Sequence, residues 1–148
     1  QLERITEIAQ SGDHEGATRW TSDCAIPDKG FWFRPTIFTG VQTSQRIARE
    51  EIFGPVLSVL TFRTPEEAVA KANNTPYGLS AGIWTEKASR MLAIADSLRA
   101  GVIWANTLNK FDPASPFGGY KESGYGREGG KQGLWSYLES NTEKGGAW

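Results

Sequence analysis

The stretch VLSVLTFRTPEE, residues 56–67, decides the fold of this chain. Residues 56–62 are almost all apolar or β-branched, which favours a strand buried in a sheet. Thr64 then provides a helix N-cap, Pro65 occupies the first helical position, and Glu67 completes a capping box. A buried strand that leads directly into a capped helix is typical of an α/β unit.

The same alternation continues downstream. Residues 79–84 have the composition of a second strand, residues 86–99 predict a helix with one apolar face, and residues 101–106 predict a third apolar strand. Strands that alternate with short helices favour parallel pairing, because each crossover returns the chain to the same edge of the sheet. We therefore predict an α/β fold with a largely parallel sheet, flanking helices, a long C-terminal loop and an edge strand.

The segments on either side are less regular. Upstream, apolar spacing predicts a helix over residues 1–10 that ends at Gly12, short strands at 18–20 and 31–38, and a short helix within 44–51. These segments precede the alternating region and extend the same domain.

The C-terminal part begins with a long loop, residues 107–133, that is rich in glycine, proline and aromatic residues. Loops of this length are functional or disordered, and the aromatic residues argue against disorder. A short helix is expected within residues 129–138, followed by a final strand over residues 138–144.

The composition limits the class of protein. A chain of 148 residues with 39% hydrophobic and 22% charged residues is a soluble domain or a piece of a larger one. A net charge of -1 argues against a nucleic-acid or membrane-surface partner. One cysteine and one histidine predict neither a disulfide framework nor a metal site. The sequence contains no apolar stretch of transmembrane length and no signal-peptide pattern, so we expect a cytoplasmic protein.

The stretch EEIFGP, residues 50–55, places an acidic pair, an aromatic ring and a Gly-Pro turn just before the first buried strand. Carboxylate oxygens accept hydrogen bonds from hydroxyl groups, and an aromatic ring covers a flat ring. The stretch therefore fits a site for a flat, polyhydroxylated ligand. Taken alone, it fits equally a helix end, a turn and a strand.

Other candidate features also have structural alternatives. The sequence GYGREG, residues 124–129, matches the dinucleotide-binding pattern, but no strand is predicted before it and no βαβ unit follows. Cys24 lies beside an aspartate whose negative charge disfavours a thiolate, which argues against a catalytic role. Asn106 ends a buried strand, where its amide would face a ligand or tie down its own loop. Phe111 and Phe117 would line an apolar pocket or anchor the long loop.

Three long motifs resemble the aldehyde dehydrogenase superfamily. They are EEIFGP at residues 50–55, NNTPYGLSAG at residues 73–82, and SPFGGYKESG at residues 115–124 with GRE at residues 126–128. Their length and order make the resemblance specific, and it covers nearly the whole chain. Members of the superfamily oxidise aldehydes to carboxylic acids with NAD or NADP. A cysteine thiolate attacks the aldehyde, a hydride passes to the nicotinamide, and a glutamate activates the water that hydrolyses the thioester.

The resemblance implies a cofactor-binding role for four residues. Glu51 would accept hydrogen bonds from the nicotinamide ribose, and Phe53 would pack beside the nicotinamide end. Gln1 and Arg4 would lie where the superfamily reaches the adenosine ribose.

The resemblance also implies a substrate-binding role for residues of the long loop. Asn106 would stand near the oxygen of the bound aldehyde, and Thr107, Phe111 and Phe117 would flank the aldehyde tunnel. It implies no metal ion.

By the same resemblance the chain is a piece of a longer enzyme. The nucleophilic cysteine and the general-base glutamate lie upstream of the matched region, so no catalytic residue is assigned here. Residues 1–137 would be the C-terminal part of the catalytic domain, and residues 138–148 a strand arm that joins the subunits of a homodimer or homotetramer. We expect the 148-residue chain alone not to oxidise an aldehyde.

Two other functions stay open at this point. One is a non-catalytic assembly or binding module that keeps the fold without the chemistry. The other is a free-standing dinucleotide binder built on residues 124–129. A cysteine in the nucleophile's sequence context, encoded upstream of Gln1, would favour the enzyme.

Overall fold

The computed structural model describes residues 1–139, and the chain divides into two compact units, Gln1–Thr75 and Pro76–Trp148. The elements of the first unit are α1 (Leu2–His14), β1 (Thr18–Thr21), β2 (Thr36–Thr39), α2 (Arg46–Arg49), β3 (Val56–Ser58) and α3 (Pro65–Asn73). The described residues of the second unit form β4 (Tyr77–Gly78), β5 (Ser80–Ile83), α4 (Ala88–Ser97), β6 (Val102–Ala105), β7 (Tyr120–Lys121) and α5 (Gly130–Trp135).

The strands form small mixed sheets. In the first unit, β2 lies between β1 and β3, antiparallel to β1 and parallel to β3. In the second unit, β5 and β6 pair in parallel with α4 as the crossover, and β4 pairs antiparallel with β7. The parallel pairs and their helices confirm the predicted α/β class. The strands predicted from residue 56 onward nevertheless do not share one sheet, because β3 pairs with β2 whereas β5 pairs with β6.

Helix α1 is longer than predicted, and the role predicted for Gly12 is wrong. The helix continues through Gly12 to His14, and Gly12 is buried. A Cβ atom at Gly12 would lie 2.9 Å from Cδ1 of Ile47 and 3.0 Å from Cε1 of Phe38. The glycine therefore serves close packing of the helix and does not end it.

The core of the first unit lies between α1 and the sheet. Ile8, Ala9 and Phe38 are completely buried. The surrounding buried side chains are Ile5, Ala17, Val41, Ile47 and Ile52. The predicted apolar face of α1 is the face that packs here, and burial of these side chains is the main stabilising term of the unit.

The strand predicted over residues 31–38 is too long. Strand β2 begins only at Thr36, directly after Pro35. Proline has no backbone N–H to donate to a ladder, so pairing cannot begin at that residue. The residues before it form a local turn in which the indole Nε1 of Trp32 donates to the carbonyl of Lys29 over 3.0 Å.

The strand predicted over residues 56–62 is also too long, since β3 ends at Ser58. One further ladder bond follows, from the N–H of Val59 to the carbonyl of Phe38 over 2.8 Å. The partner strand then turns at Gly40, whose φ is +67°. Without a partner, the rest of the apolar run has no ladder to join.

The predicted start of α3 is confirmed. The hydroxyl of Thr64 accepts a hydrogen bond from the N–H of Glu67 over 3.2 Å, with Pro65 in the first turn. The carboxylate of Glu67 returns to the N–H of Arg63 over 2.8 Å, one residue before the cap. The expected return bond to the cap residue itself is therefore displaced by one position.

The apolar face predicted for α4 consists of Ala88, Met91, Leu92, Ala95 and Leu98. The prediction is wrong at Ala88, which is exposed, and at Leu92, which is 67% exposed. The half-buried side of the helix carries Met91, Ile94, Ala95 and Leu98. Ala88 and Leu92 are four residues apart and therefore lie on the same side of the helix, which is exposed.

The long loop predicted over residues 107–133 contains β7 and an antiparallel bridge between Phe117 and Glu128. The helix predicted within residues 129–138 is confirmed as α5. The strand predicted over residues 138–144 lies, apart from its first two residues, outside the described residues. The predicted boundary at residue 137, between the catalytic-domain part and the strand arm, therefore stays a prediction. Among residues 1–139, no helix combines the length and the apolar character required to cross a membrane.

We predict that Thr64→Ala weakens the start of α3. The substitution removes the acceptor for the N–H of Glu67 and should destabilise the chain by about 1 kcal/mol. Thr64→Ser keeps the hydroxyl and should be close to neutral. Chemical denaturation gives the free energy of unfolding, and amide hydrogen exchange reports on the first turn of α3.

The matched control is Thr61→Ala, which removes an exposed threonine from outside any helix. Equal destabilisation by Thr61→Ala and Thr64→Ala would contradict the capping role.

Candidate functional site

The 50–55 loop packs closely against α1. It follows α2, buries Ile52 and enters β3 through Gly54 and Pro55. A Cβ atom at Gly54 would lie 2.6 Å from Cδ1 of Ile5, so only glycine permits this approach. The close packing fixes the position of the loop on the first turns of the helix.

Gln1 ties the same loop from the end of α1. Its side-chain Nε2 donates to the carbonyl of Ile52 over 3.2 Å and to the carbonyl of Phe53 over 3.0 Å. Phe53 has a φ of +55°, a left-handed conformation that disfavours a residue with a side chain. Its ring is 75% exposed. The loop therefore holds an aromatic ring towards solvent in a strained backbone conformation.

The two adjacent glutamates of the loop have different environments. The carboxylate of Glu50 accepts from Nε of Arg46 over 2.6 Å and lies 3.9 Å from Nη2 of Arg4. The carboxylate of Glu51 is exposed and makes no ion pair or hydrogen bond with any residue of 1–139. The carboxylate available to a ligand in this loop is therefore that of Glu51.

Arg46 connects the loop to α1 a second time. Its Nη1 donates to the carboxylate of Glu7 over 2.7 Å, while its Nε holds Glu50. Hydrogen bonding from Arg46 holds the pKa of Glu50 below its ordinary value, and the two carboxylates raise the pKa of Arg46. The contact between Arg46 and Glu7 could not be predicted from the sequence, because the two residues lie 39 positions apart, whereas Arg46 and Glu50 have the i,i+4 spacing of a helical ion pair.

The structure thus brings together the four residues predicted to bind the cofactor. Gln1, Arg4, Glu51 and Phe53 all lie on the first turns of α1 or on the loop that packs there. Gln1 is occupied with backbone carbonyls and Arg4 with Glu50. Glu51 and Phe53 remain exposed to a ligand.

In the second unit, Asn106 follows the carboxyl end of β6 with a φ of +51°. Its Oδ1 accepts from the N–H of Thr85 over 2.9 Å, and its Nδ2 donates to the carbonyl of Thr85 over 3.1 Å. These two side-chain hydrogen bonds take the place of one further backbone pair beyond the ends of β5 and β6. The amide therefore ties down the segment that follows β5 and not its own loop, and one Nδ2 proton still remains for another acceptor.

An aromatic row follows Asn106 along the loop. Phe111 meets Trp104 edge to face at 5.5 Å between ring centroids and meets Phe117 edge to face at 5.1 Å. Nε1 of the buried Trp104 donates to the carbonyl of Lys110 over 3.2 Å. Phe111 is 61% exposed, and Thr107 is half-buried. The two phenylalanines therefore anchor the loop on Trp104 and leave an aromatic surface exposed.

The glycine pattern at residues 124–129 does not form a phosphate loop. Contrary to the prediction, the two-residue strand β7 does precede it. However, the N–H of Glu128 donates to the carbonyl of Phe117 and the N–H of Gly130 to the carbonyl of Pro113. A phosphate would require such N–H groups to point at the ligand. Here they are used within the protein.

An open cleft of about 1220 Å³ lies beside this glycine pattern. Phe117, Arg127, Lys131 and Leu134 contribute to its wall. Nη1 of Arg127 donates to the carbonyls of Gly119 and Gly126, each over 2.8 Å. The arginine is thus engaged in holding the loop and does not point into the cleft as a free cation.

Thiol and metal chemistry find no support in the part of the chain that the structure describes. Cys24 is exposed, and its sulfur lies 2.9 Å from the hydroxyl of Ser22. Residues 1–139 hold no group of three or more histidine, cysteine, aspartate or glutamate side chains placed to bind a metal ion.

We predict that Asn106→Ala destabilises the second unit more than Asn106→Gly does. Both variants lose the two hydrogen bonds to Thr85, which together contribute about 1–3 kcal/mol. Alanine also adopts the left-handed conformation at an extra cost of about 1 kcal/mol, which glycine avoids. Denaturant unfolding of both variants measures this difference, and equal stability would show that backbone conformation is unimportant there.

We also predict that Glu50→Gln reduces the acid sensitivity of the first unit. The unfolded chain has an ordinary glutamate pKa of about 4.3, above the lowered pKa of folded Glu50. The stabilisation by the Arg46–Glu50 pair is therefore present above about pH 5 and is lost as the pH falls through the pKa of Glu50 in the folded chain. It should amount to less than about 1 kcal/mol, since both side chains are about one-third exposed.

Free energies of unfolding between neutral and acid pH measure this effect. Glu3→Gln is the control, because Glu3 is exposed and has no ion pair among residues 1–139. An equal change in the acid slope of both variants would contradict the role of the Arg46–Glu50 pair.

Comparison with known proteins places this chain among the aldehyde dehydrogenases. The profile of the Aldehyde dehydrogenase family matches residues 1–142. An aldehyde dehydrogenase of Enchytraeus buchholzi is 46% identical over 142 residues, which cover 96% of this chain and 29% of that protein. The cytosolic aldehyde dehydrogenase 1 of Rattus norvegicus is 42% identical over 142 residues, which cover 96% of this chain and 28% of that protein.

Solved structures of aldehyde dehydrogenases are also similar to this chain. The indole-3-acetaldehyde dehydrogenase AldA of P. syringae, in complex with NAD⁺ and IAA, superposes with a TM-score of 0.88 at 44% identity, covering 93% of this chain and 28% of that one. The NAD⁺ complex of a Bacillus cereus aldehyde dehydrogenase gives 0.87 at 44% identity with the same coverage. The chain therefore spans less than a third of the length of these relatives. With its family profile matched from residue 1 to residue 142, the chain belongs to the aldehyde dehydrogenase family.

Proposed function

We propose that this chain is the C-terminal part of an NAD(P)-dependent aldehyde dehydrogenase and supplies residues to its cofactor and aldehyde sites. The complete enzyme would convert an aldehyde, an oxidised nicotinamide cofactor and water into a carboxylic acid and the reduced cofactor. The observation that carries the proposal is the 50–55 loop, where Gln1, Arg4 and Glu50 leave the carboxylate of Glu51 and the ring of Phe53 exposed.

Glu51 is the proposed acceptor for the nicotinamide ribose. An unpaired carboxylate accepts two hydroxyl hydrogen bonds at once, and charge-assisted bonds of this kind are the stronger ones. Phe53 presents an exposed ring within two residues, which suits one face of a flat nicotinamide. Relatives solved in complex with NAD⁺ support NAD as the cofactor, and NADP stays an alternative. The cofactor, when bound, accepts the hydride, whereas Glu51 and Phe53 bind and orient it.

The aldehyde side is proposed to lie on the second unit. Nδ2 of Asn106 keeps one proton that could be donated to the aldehyde oxygen, and its bonds to Thr85 hold it in place. Thr107, the exposed ring of Phe111 and the half-buried ring of Phe117 would form an apolar wall. Such a wall would favour aldehydes with an apolar or aromatic substituent and would exclude water from the reacting carbon.

The chemistry itself is assigned to residues outside this chain. The nucleophilic cysteine and the general-base glutamate of the family are expected upstream, and Cys24 lies in an exposed position beside Ser22. We accordingly propose that the chain alone is inactive. The subunit arm at residues 138–148, a homo-oligomeric assembly and a cytoplasmic location are parts of the same proposal.

A non-catalytic member of the family is the alternative function. The observation that favours it is that Cys24, the one cysteine of the chain, is exposed, and that its sulfur has the hydroxyl of Ser22 as its one hydrogen-bond partner within residues 1–139. The coding sequence upstream of Gln1 distinguishes the two. A cysteine in the nucleophile's sequence context supports the enzyme, and a start codon at that place supports the module.

We predict that Glu51→Gln in the complete enzyme slows hydride transfer. A neutral amide is a weaker acceptor for the ribose hydroxyls, and the loss of one charge-assisted hydrogen bond should lower the single-turnover rate by roughly tenfold. The rate of reduced-cofactor formation under single-turnover conditions measures it directly.

Glu3→Gln, on the exposed side of α1, is the control for loss of a negative charge nearby. An unchanged single-turnover rate in Glu51→Gln would refute the role of Glu51.

A further inference from the structure

Helix α2 is too short to hold its own position. It has four residues, of which only Ile47 is buried. A helix of one turn gains too few internal hydrogen bonds to offset its ordering entropy. The loop that carries Glu51 begins at the end of this turn, so its orientation must come from other contacts.

Those contacts are made by side chains that reach α1 and the residue that follows it. At the start of α2, the carboxylate of Glu15 accepts from the N–H of Arg46 over 2.8 Å. At its end, the guanidinium of Arg46 joins Glu7, in the middle of α1, to Glu50 over 2.7 and 2.6 Å. One arginine thus spans the short helix and connects the first residue of the loop to α1.

Glu51 lies between two tied neighbours. Glu50 is held by Arg46 and, at 3.9 Å, by Arg4. The carbonyl of Ile52 is held by Gln1. With both flanking residues fixed on α1, the backbone of Glu51 has little freedom, although its own carboxylate has no partner among residues 1–139.

We propose that Arg46 is a positioning residue of the cofactor site, acting through Glu50 to hold the backbone that carries Glu51 and Phe53. This inference rests on the proposed function, because it gives Glu51 and Phe53 a cofactor to bind. Arg46 does not touch the cofactor. It keeps the loop in the binding-competent arrangement, and a loop that spends only part of its time there binds its ligand more weakly by that fraction.

The effect on binding should exceed the effect on stability. Ion pairs between partly exposed side chains contribute little to the free energy of unfolding. Arg46 therefore differs from a simple stabilising residue in a measurable way. Its loss should weaken cofactor binding while the unfolding temperature and the aldehyde KM change little.

The chain offers a closely matched control in Arg19. The side chains of Arg19 and Arg46 are each 32% exposed, and their partners Asp13 and Glu50 are each 38% exposed. Arg19 also ties a neighbouring element to α1, with 2.9 Å between Nη1 and the carboxylate of Asp13. It makes no contact with the 50–55 loop in the described residues. Any general effect of losing an ion pair should therefore appear equally in Arg19→Gln.

The test uses the complete enzyme that contains this chain. NADH binding is titrated by fluorescence, and KM for NAD⁺, KM for the aldehyde and kcat are measured for wild type, Arg46→Gln, Arg46→Lys and Arg19→Gln. Arg46→Gln should raise the Kd for NADH and the KM for NAD⁺ by roughly threefold, with the aldehyde KM almost unchanged. Arg46→Lys should restore part of the affinity, because an ammonium group can hold one carboxylate but cannot bridge two in a fixed fork.

Glu7→Gln keeps Arg46 and removes only its anchor on α1. It should reproduce a smaller part of the affinity loss, and it serves as the second test if Arg46→Gln fails to fold. Combined with Arg46→Gln, it should add almost nothing, because both changes break the same connection.

An unchanged Kd for NADH in both Arg46→Gln and Glu7→Gln would overturn the inference, as would an equal loss in Arg19→Gln. Failure of the proposed function has a different result. In that case the wild-type enzyme itself binds no NADH and oxidises no aldehyde.

Discussion

The close approach of α1 to the 50–55 loop is the contact on which the candidate cofactor site depends. It requires a glycine at position 54, because any Cβ there would collide with Ile5. With the loop this close, the side chain of Gln1 reaches two of its backbone carbonyls, and Arg4 reaches Glu50. Apolar packing therefore sets the distance between α1 and the loop, and the polar contacts set the orientation of the loop. Neither alone would present Glu51 to a ligand.

The different environments of the adjacent carboxylates of Glu50 and Glu51 follow from this arrangement. Two neighbouring glutamates on an exposed loop would ordinarily be equivalent. Here Arg46 and Arg4 lie around Glu50, which becomes part of the scaffold. Glu51 is exposed, makes no ion pair or hydrogen bond within residues 1–139, and retains its full hydrogen-bonding capacity. A site that must bind hydroxyl groups needs an acceptor that the protein has not already satisfied, and a satisfied neighbour is what keeps that acceptor in place.

The sequence predicts local features of the fold well and long-range contacts poorly. The cap at Thr64 could be predicted because it depends on residues within one turn of each other. The elements β5, α4 and β6 could be predicted because each has its own local pattern of apolar residues. The strand over residues 56–62 was overestimated because its length depends on where the partner strand ends, at Gly40. Gly12 was misinterpreted because its role depends on Ile47 and Phe38, which are distant in sequence.

The same distinction holds for the candidate site. The resemblance of the motifs to the family is what singled out Glu51, Phe53 and Asn106 as candidates. The contacts that position them could not be predicted, since Arg46 is 39 residues from Glu7 and Gln1 is 52 residues from Phe53. Pairs at such separations leave no periodic pattern. Only packing brings them together.

Each of the two candidate sites contains a residue with a strained backbone conformation. Among residues 1–139, the non-glycine residues with positive φ are Phe53, Asn106, Asn109 and Lys121. Asparagine tolerates this conformation, and Asn106 gains two hydrogen bonds to Thr85 by adopting it. Phenylalanine has no such compensation of its own, so its strain of about 1 kcal/mol must be offset by neighbours such as Gln1. A strained residue with an exposed aromatic ring has no evident advantage for folding. The conformation of Phe53 is therefore consistent with the proposed contact between its ring and a nicotinamide.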